Sequence, residues 1–173
     1  SVKCEWVSNR WWIYTTTVQK EFELDEDERV ELVFEGIDYK AYVYINGRLS
    51  AARQGMFHEL RLDLTDEFRK TDKCRINVVF ESIPEEMSQI GRTSQVKILK
   101  SRFGYKWEFC SRLVNIGLYG DAYLRTYRKF VMRSYHFMAC RPLENGQAEL
   151  EMEIEATQGG QASFDVDLHT GSD

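Results

Sequence analysis

Proline is scarce, with two residues in 173. That excludes a disordered, proline-rich linker, and 43% hydrophobic residues are enough to bury a core. Histidine is equally sparse. His58, His136 and His169 stand far apart in strand-like contexts, the setting of structural residues rather than of ligands or bases. Cys4, Cys74, Cys110 and Cys140 form no CxxC pair and no metal-ligand spacing, so no metal site is expected. Such scatter reads as free thiols in a reducing compartment. The expected location is cytoplasmic, and a first residue of Ser1 in place of methionine leaves room for a trimmed leader. No stretch approaches the ~18 apolar residues of a membrane span, so no membrane partner is expected. Basic excess is missing too: 23 Lys and Arg face 28 Asp and Glu, which leaves no electrostatic footprint for nucleic acid. No cofactor is expected either.

The charge that is present is uneven. Residues 129–173 hold three basic and eight acidic side chains, leaving 20 of each sign before them. A neutral body thus carries an acidic tail. The length allows one domain, or one domain plus part of another. Aromatics at 13% lean towards β structure.

The body reads as a succession of strands. Trp11 to Val18 is aromatic and β-branched, and Phe22-Glu23-Leu24 continues it. Val30 to Phe34 and Ala41 to Ile45 flank Gly36-Ile37-Asp38, a connection short enough for neighbouring antiparallel strands. Asn46-Gly47 follows, the dipeptide that best tolerates the two positive φ angles of a type I′ hairpin turn. Phe57 to Leu64 alternates with one apolar face, Thr65 to Phe68 reads as a capped helical turn, and Arg75 to Phe80 is another strand. Between Ser82 and Ser101 periodicity fades into a long loop that contains Arg92, Lys97 and Lys100. Gly117 to Asp121 then opens a last strand, Ala122 to Arg125.

A second segment follows Tyr127-Arg128-Lys129. Arg133 to Arg141 can form a strand, and Glu144-Asn145-Gly146 is a turn. Ala148, Leu150, Met152, Ile154 and Ala156 then alternate with Glu149, Glu151, Glu153 and Glu155, and Ala162 to His169 repeats the pattern. Strands with one apolar face must lay it on something. About 45 residues are too few for an immunoglobulin-like sandwich of roughly 100, so the expectation is a fragment that stops mid-domain.

The stretch from Ser101 to Cys110 stands out, with four aromatics and a glycine among charged residues. Flat rings suit the CH-rich faces of sugars and the interleaved charges suit hydroxyls. The same composition suits a packed hairpin with solvated charges. Both readings stand on composition alone.

The ordered series Trp12-x-Tyr14, Val30-x-Leu32-x-Phe34-x-Gly36-Ile37-Asp38, Ala41-x-Val43-x-Ile45-Asn46-Gly47, Phe103-Gly104-x-x-Trp107 and Gly117-Leu118-x-x-Asp121 resembles the N-terminal domain of glycoside hydrolase family 2, in its β-mannosidase-like branch. The resemblance covers residues 1–127. It implies an all-β chain: a jelly-roll, galactose-binding-domain-like β-sandwich over residues 1–127, then the first strands of an immunoglobulin-like β-sandwich over 128–173. It also implies a carbohydrate partner, a β-mannoside or related glycoside, and a C-terminal (β/α)8 catalytic domain that this chain lacks. Enzymes of the family are retaining glycosidases with two catalytic glutamates, whose carboxyls stand about 5–5.5 Å apart. The acidic clusters here, Asp25 to Glu28, Glu85-Glu86 and the tail, read as solvated turns and faces, so no catalytic residue is expected.

In β-mannosidases an aromatic–acidic–Trp–Gly stretch of the first domain reaches the barrel mouth. The matching positions are Tyr105, Lys106, Trp107 and Glu108. Trp107 is retained, Lys106 stands where the family has aspartate, and Glu108 where it has glycine. An ammonium donates where a carboxylate accepts, so the acidic role has room to move to Glu108 or the substrate to differ. Arg92, Lys100 and Arg102 are further candidates for the same mouth. Two classes of function follow: the accessory rim of a β-mannosidase-like exo-glycosidase, or a stand-alone module that binds carbohydrate or protein without hydrolysing anything.

Overall fold

Asn46 and Gly47 both take positive φ, 50° and 84°, as the hairpin signal requires. They join β4 (Lys40–Ile45) to β5 (Arg48–Gln54) in antiparallel register, Ile45 opposite Arg48. Asn46 also secures the turn from outside, its side-chain oxygen accepting from the Arg75 amide at 2.9 Å. The structure is a computed structural model that describes residues 2–84, 98–105, 111–128, 131–142, 148–156, 161 and 163. The chain divides into two compact units, Ser1–Thr126 and Tyr127–Asp173.

In the first unit, β1 (Trp12–Gln19), β7 (Lys73–Phe80), β4 and β5 form a four-stranded sheet in the order β1-β7-β4-β5. A second sheet runs β6 (Leu60–Asp63), β2 (Glu28–Phe34), β9 (Ala122–Arg128). Alternation decides what each strand buries. Cys74, Ile76, Val78 and Phe80 of β7 and Ala41, Val43 and Ile45 of β4 point inward, where they meet Val30, Leu32 and Phe34 of β2 in one core. The two sheets form a β-sandwich. The helix α1 (Thr65–Lys70) closes one end by sinking Phe68 into that core, with the Phe22 ring 6.1 Å away.

Three expectations for the first unit are corrected. Strands β2 and β4 are not hairpin partners. They belong to different sheets, and residues 35–39 carry the chain across the sandwich. On the way, β3 (Ile37–Asp38) pairs with β8 (Gly117–Leu118) in a two-stranded ribbon of its own. The run of β2 explains the difference: every residue from Val30 to Phe34 is buried, as in a strand covered on both faces. Phe22-Glu23-Leu24 does not extend β1 either. The ladder ends at Gln19 opposite Lys73, and Phe22 and Leu24 serve the core as half-buried packing residues. Phe57 to Glu59 precede the short strand β6 rather than joining it.

The buried Glu31 is answered within the second sheet, where the Arg125 Nη2 reaches its carboxylate at 2.6 Å and Nε at 3.0 Å. The second unit contains β10 (Met132–Pro142) and β11 (Ala148–Ala156), antiparallel from Met132 opposite Ala156 to Pro142 opposite Ala148. Glu151, Glu153 and Glu155 are exposed, while Met152 and Ile154 are half-buried, the alternation their sequence calls for. The Glu144 to Gly146 turn and the expected strand from Ala162 to His169 lie outside the described residues, apart from Ser163.

Candidate functional site

Three segments of the first unit converge beside the β3–β8 ribbon: β3 itself, residues 98–105, and residues 111–116. The last two flank residues 106–110 in the sequence. Arg92, Lys106, Trp107 and Glu108 lie outside the described residues, so the site is built from what stands around them.

The flanks are pinched together at Gly104 and Leu113. The Leu113 amide donates to the Gly104 carbonyl at 2.8 Å. A β-carbon at position 104 would stand 2.3 Å from the Leu113 carbonyl oxygen, so only glycine lets the two backbones approach this closely. The sequence marked Gly104 as part of an aromatic–glycine motif; the close approach is its physical reason.

Tyr105, expected at the barrel mouth, is buried. It is 3% exposed, packs with Tyr39, Ile83 and Val114, and donates its hydroxyl to the Pro84 carbonyl at 3.3 Å. The guanidinium carbons of Arg102 and Arg112 lie over its ring at 6.0 and 5.6 Å. Tyr105 therefore supports the flanks from below. Arg102 is half-buried in the same stack rather than projecting freely. Arg112 ties the stack to the N-terminal turn, donating to Ser8 Oγ at 2.7 Å and Asn9 Oδ1 at 3.3 Å. The ring offered to solvent is Phe103, 90% exposed. Sequence reasoning counted Phe103 among the aromatics of the Ser101–Cys110 stretch and as a family marker but did not single it out; its place next to Gly104 was the available signal.

Lys100 also departs from expectation. It is 6% exposed, and its ammonium donates to both carboxylate oxygens of Asp38, itself 2% exposed, and to the Asn115 carbonyl at 2.8 Å. Three donors meet three acceptors. Burial pushes the Asp38 carboxyl up and the Lys100 ammonium down, each against the pull of the other's charge and hydrogen bond. Burial also raises the Tyr119 phenol, helped by the nearby Asp38 charge.

Asp38, Met56, Asn115, Gly117 and Tyr119 line a cleft of about 500 Å³ beside this pair. A second opening of about 450 Å³, between β1 and β9, is lined by apolar, tyrosine and threonine side chains and carries no charge. The first is where charge, aromatic surface and the flanks of residues 106–110 meet. Among the described residues no cluster of His, Cys, Asp and Glu could hold a metal ion, and no helix is long and apolar enough to cross a membrane.

Residues 1–120 match the family model described as the glycosyl hydrolase 2 galactose-binding domain-like domain. The chain belongs to glycoside hydrolase family 2. Within that family it is similar to a mannosylglycoprotein endo-beta-mannosidase of Lilium longiflorum, 31% identical over 123 residues, which are 65% of this chain and 13% of the relative. It is also similar to beta-mannosidase B of Aspergillus clavatus, 22% identical over 184 aligned residues, 97% of this chain and 22% of the relative. The chain thus spans about a fifth or less of the length of these curated relatives. The fold matches that of a beta-D-mannosidase from Dictyoglomus thermophilum with a TM-score of 0.72 at 20% identity, over 90% of this chain and 20% of that one. The family 2 resemblance and its β-mannosidase-like branch, read from the motifs, agree with these findings.

Proposed function

We propose that this chain is the non-catalytic N-terminal part of a β-mannosidase-like retaining glycoside hydrolase, and that it shapes the sugar-binding rim of a downstream catalytic barrel. The observation that carries the reading is the Gly104–Leu113 pinch. It draws together the two flanks of residues 106–110, which include Lys106, Trp107 and Glu108, the positions that align with the family's sugar-contacting motif and keep its tryptophan, in a chain whose first 120 residues match a family 2 domain. Trp107 is the proposed platform for the sugar's apolar face, with Lys106 and Glu108 as its polar neighbours and Arg92 as a basic contribution from the preceding loop. Phe103 joins them on its exposure. Tyr105 and Arg102 act beneath the rim. The reading includes a carbohydrate partner, and cytoplasmic residence agrees with the free thiols of Cys4 and Cys74.

The test is Trp107→Ala in a protein that carries this chain together with its barrel. Loss of one aromatic platform is expected to raise KM for a β-mannoside about tenfold, the equivalent of about 1.4 kcal/mol. Unchanged kinetics would remove Trp107 from the rim. Saturable binding of manno-oligosaccharides by this chain alone, measured by calorimetry, would instead favour an autonomous binding module.

A further inference from the structure

Lys100 sits in the middle of the upstream flank, and its neighbours on both sides are held by one residue. The Met56 amide donates to the Leu99 carbonyl at 3.4 Å, and the Ser101 amide donates to the Met56 sulfur at 3.0 Å. The lysine itself is then committed in three directions: twice to Asp38 in β3 and once to the Asn115 carbonyl of the downstream flank. One ammonium thus joins three chain segments, Asp38 lying 62 positions and Asn115 15 positions from Lys100.

A buried ion pair is a poor source of net stability, because desolvation of both charges offsets their attraction. What such a pair does well is hold one geometry, since a lone charge left behind in the interior would be costly. Here the geometry held is the spacing of the two flanks of residues 106–110. The Asp38 carboxylate has no basic partner other than Lys100 among the described ion pairs, and the Asn115 carbonyl is drawn to the same nitrogen.

We propose that Lys100 is a positioning residue: its ammonium, seated between the Asp38 carboxylate and the Asn115 carbonyl, fixes the relative placement of the two flanks on which the sugar-contacting segment is mounted. This rests on the reading of that segment as a sugar rim, but its test does not. The lysine touches no substrate. It acts through the backbone crossing at Gly104 and Leu113, which lies a few residues further along each flank.

The decisive comparison is between the parent chain, Lys100→Met, and the double variant Asp38→Leu with Lys100→Met, followed by amide hydrogen exchange and thermal melting. The double variant removes both charges and keeps apolar volume, so it is expected to melt at or above the parent temperature. In it, the Leu113 amide, bonded to Gly104, and the Tyr105 amide, bonded to the Arg102 carbonyl, are expected to exchange at least about tenfold faster. The amides of β4 and β7 are expected to stay as protected as in the parent. Lys100→Met alone is expected to show the same local loss with a lower melting temperature, because Asp38 is left unpaired. Parent-like exchange at Leu113 and Tyr105 in the double variant would overturn the proposal. So would an equal loss of protection in β4 and β7, or failure of the double variant to fold, since each would make the pair a requirement of the whole sandwich. Faster local exchange together with unchanged kinetics for Trp107→Ala would sink the sugar reading and leave the positioning role standing; the reverse pattern would sink the positioning role alone.

Discussion

Glu81 carries two donors at once: the Lys40 ammonium at 2.8 Å and the Tyr42 hydroxyl, both on the same carboxylate oxygen. Those hydrogen bonds, with Lys40 the larger influence, hold its carboxyl below the ordinary value of 4.5. A carboxylate with a depressed folded-state pKa binds fewer protons in the native state than in the unfolded one. Its contribution is therefore complete above 4.5 and is lost as the pH falls through the lower folded value. We expect Glu81→Gln to lower the melting temperature at pH 6 and to approach the parent as the pH drops towards 3. A constant difference across that range would show that Glu81 contributes packing rather than charge. The size will be small, as for other partly exposed ion pairs. Asp38 and Lys100 behave oppositely: burial raises the acid and lowers the base, so the charged pair at neutral pH is a geometric device rather than a stabilising one. Neither behaviour is legible in the local sequence, because Asp38 and Lys100 are ordinary charged letters until the fold seals them together.

Elements were more legible than residues. The Asn46-Gly47 turn, the strand β7 and the helical turn at Thr65 follow from local chemistry, and each is present, although the N-cap position of the helix is Leu64, with no side-chain cap. Within α1 the apolar content is concentrated in Phe68, fully buried on a helix of six residues. A helix this short has no stability of its own and is held by what it buries. We expect Phe68→Ala to cost about 3–5 kcal/mol in urea unfolding of the first unit, with an unchanged denaturant slope. A loss below about 1 kcal/mol would mean that the neighbouring side chains collapse into the space. The elements that misled are those whose partner was assumed from proximity. In β2 the letters Val30, Leu32, Val33 and Phe34 are apolar around Glu31, and only the fold shows that all five are buried, Glu31 against Arg125, as in a strand covered on both faces.

Over the whole molecule, the composition of the described elements bears on activity. They are strands, one short helix and two 3-10 turns, and 173 residues fall short of the roughly 250 of a typical (β/α)8 barrel. A retaining glycosidase needs two carboxyls about 5–5.5 Å apart across the scissile bond. Among the described residues of the first unit the buried carboxylates are Glu31 and Asp38, each committed to a cation of its own, Arg125 and Lys100. Asp25, Glu26 and Asp27 are exposed, as a solvated turn requires. We therefore expect this chain by itself to release no nitrophenol from a nitrophenyl β-mannoside above the buffer rate. Turnover that copurifies with the chain and disappears on substitution of one of its own carboxylates would refute this.

By itself, the sequence determined where most of the described strands lie, where the tight turn falls and which face of the alternating strands is apolar. Those properties depend on neighbours one to four positions away, through backbone preference and period-two alternation. Its ordered motifs also carried the family, because Gly36-Ile37-Asp38, Asn46-Gly47 and Phe103-Gly104 occur in a fixed series. Only the tertiary structure decided that β2 and β4 lie in opposite sheets, that Tyr105 is buried beneath guanidinium groups, and that Lys100 is paired in the interior. Alternation says which side of a strand avoids water but not which strand supplies its hydrogen bonds. The environment of a charge is set by a partner brought to it from tens of residues away.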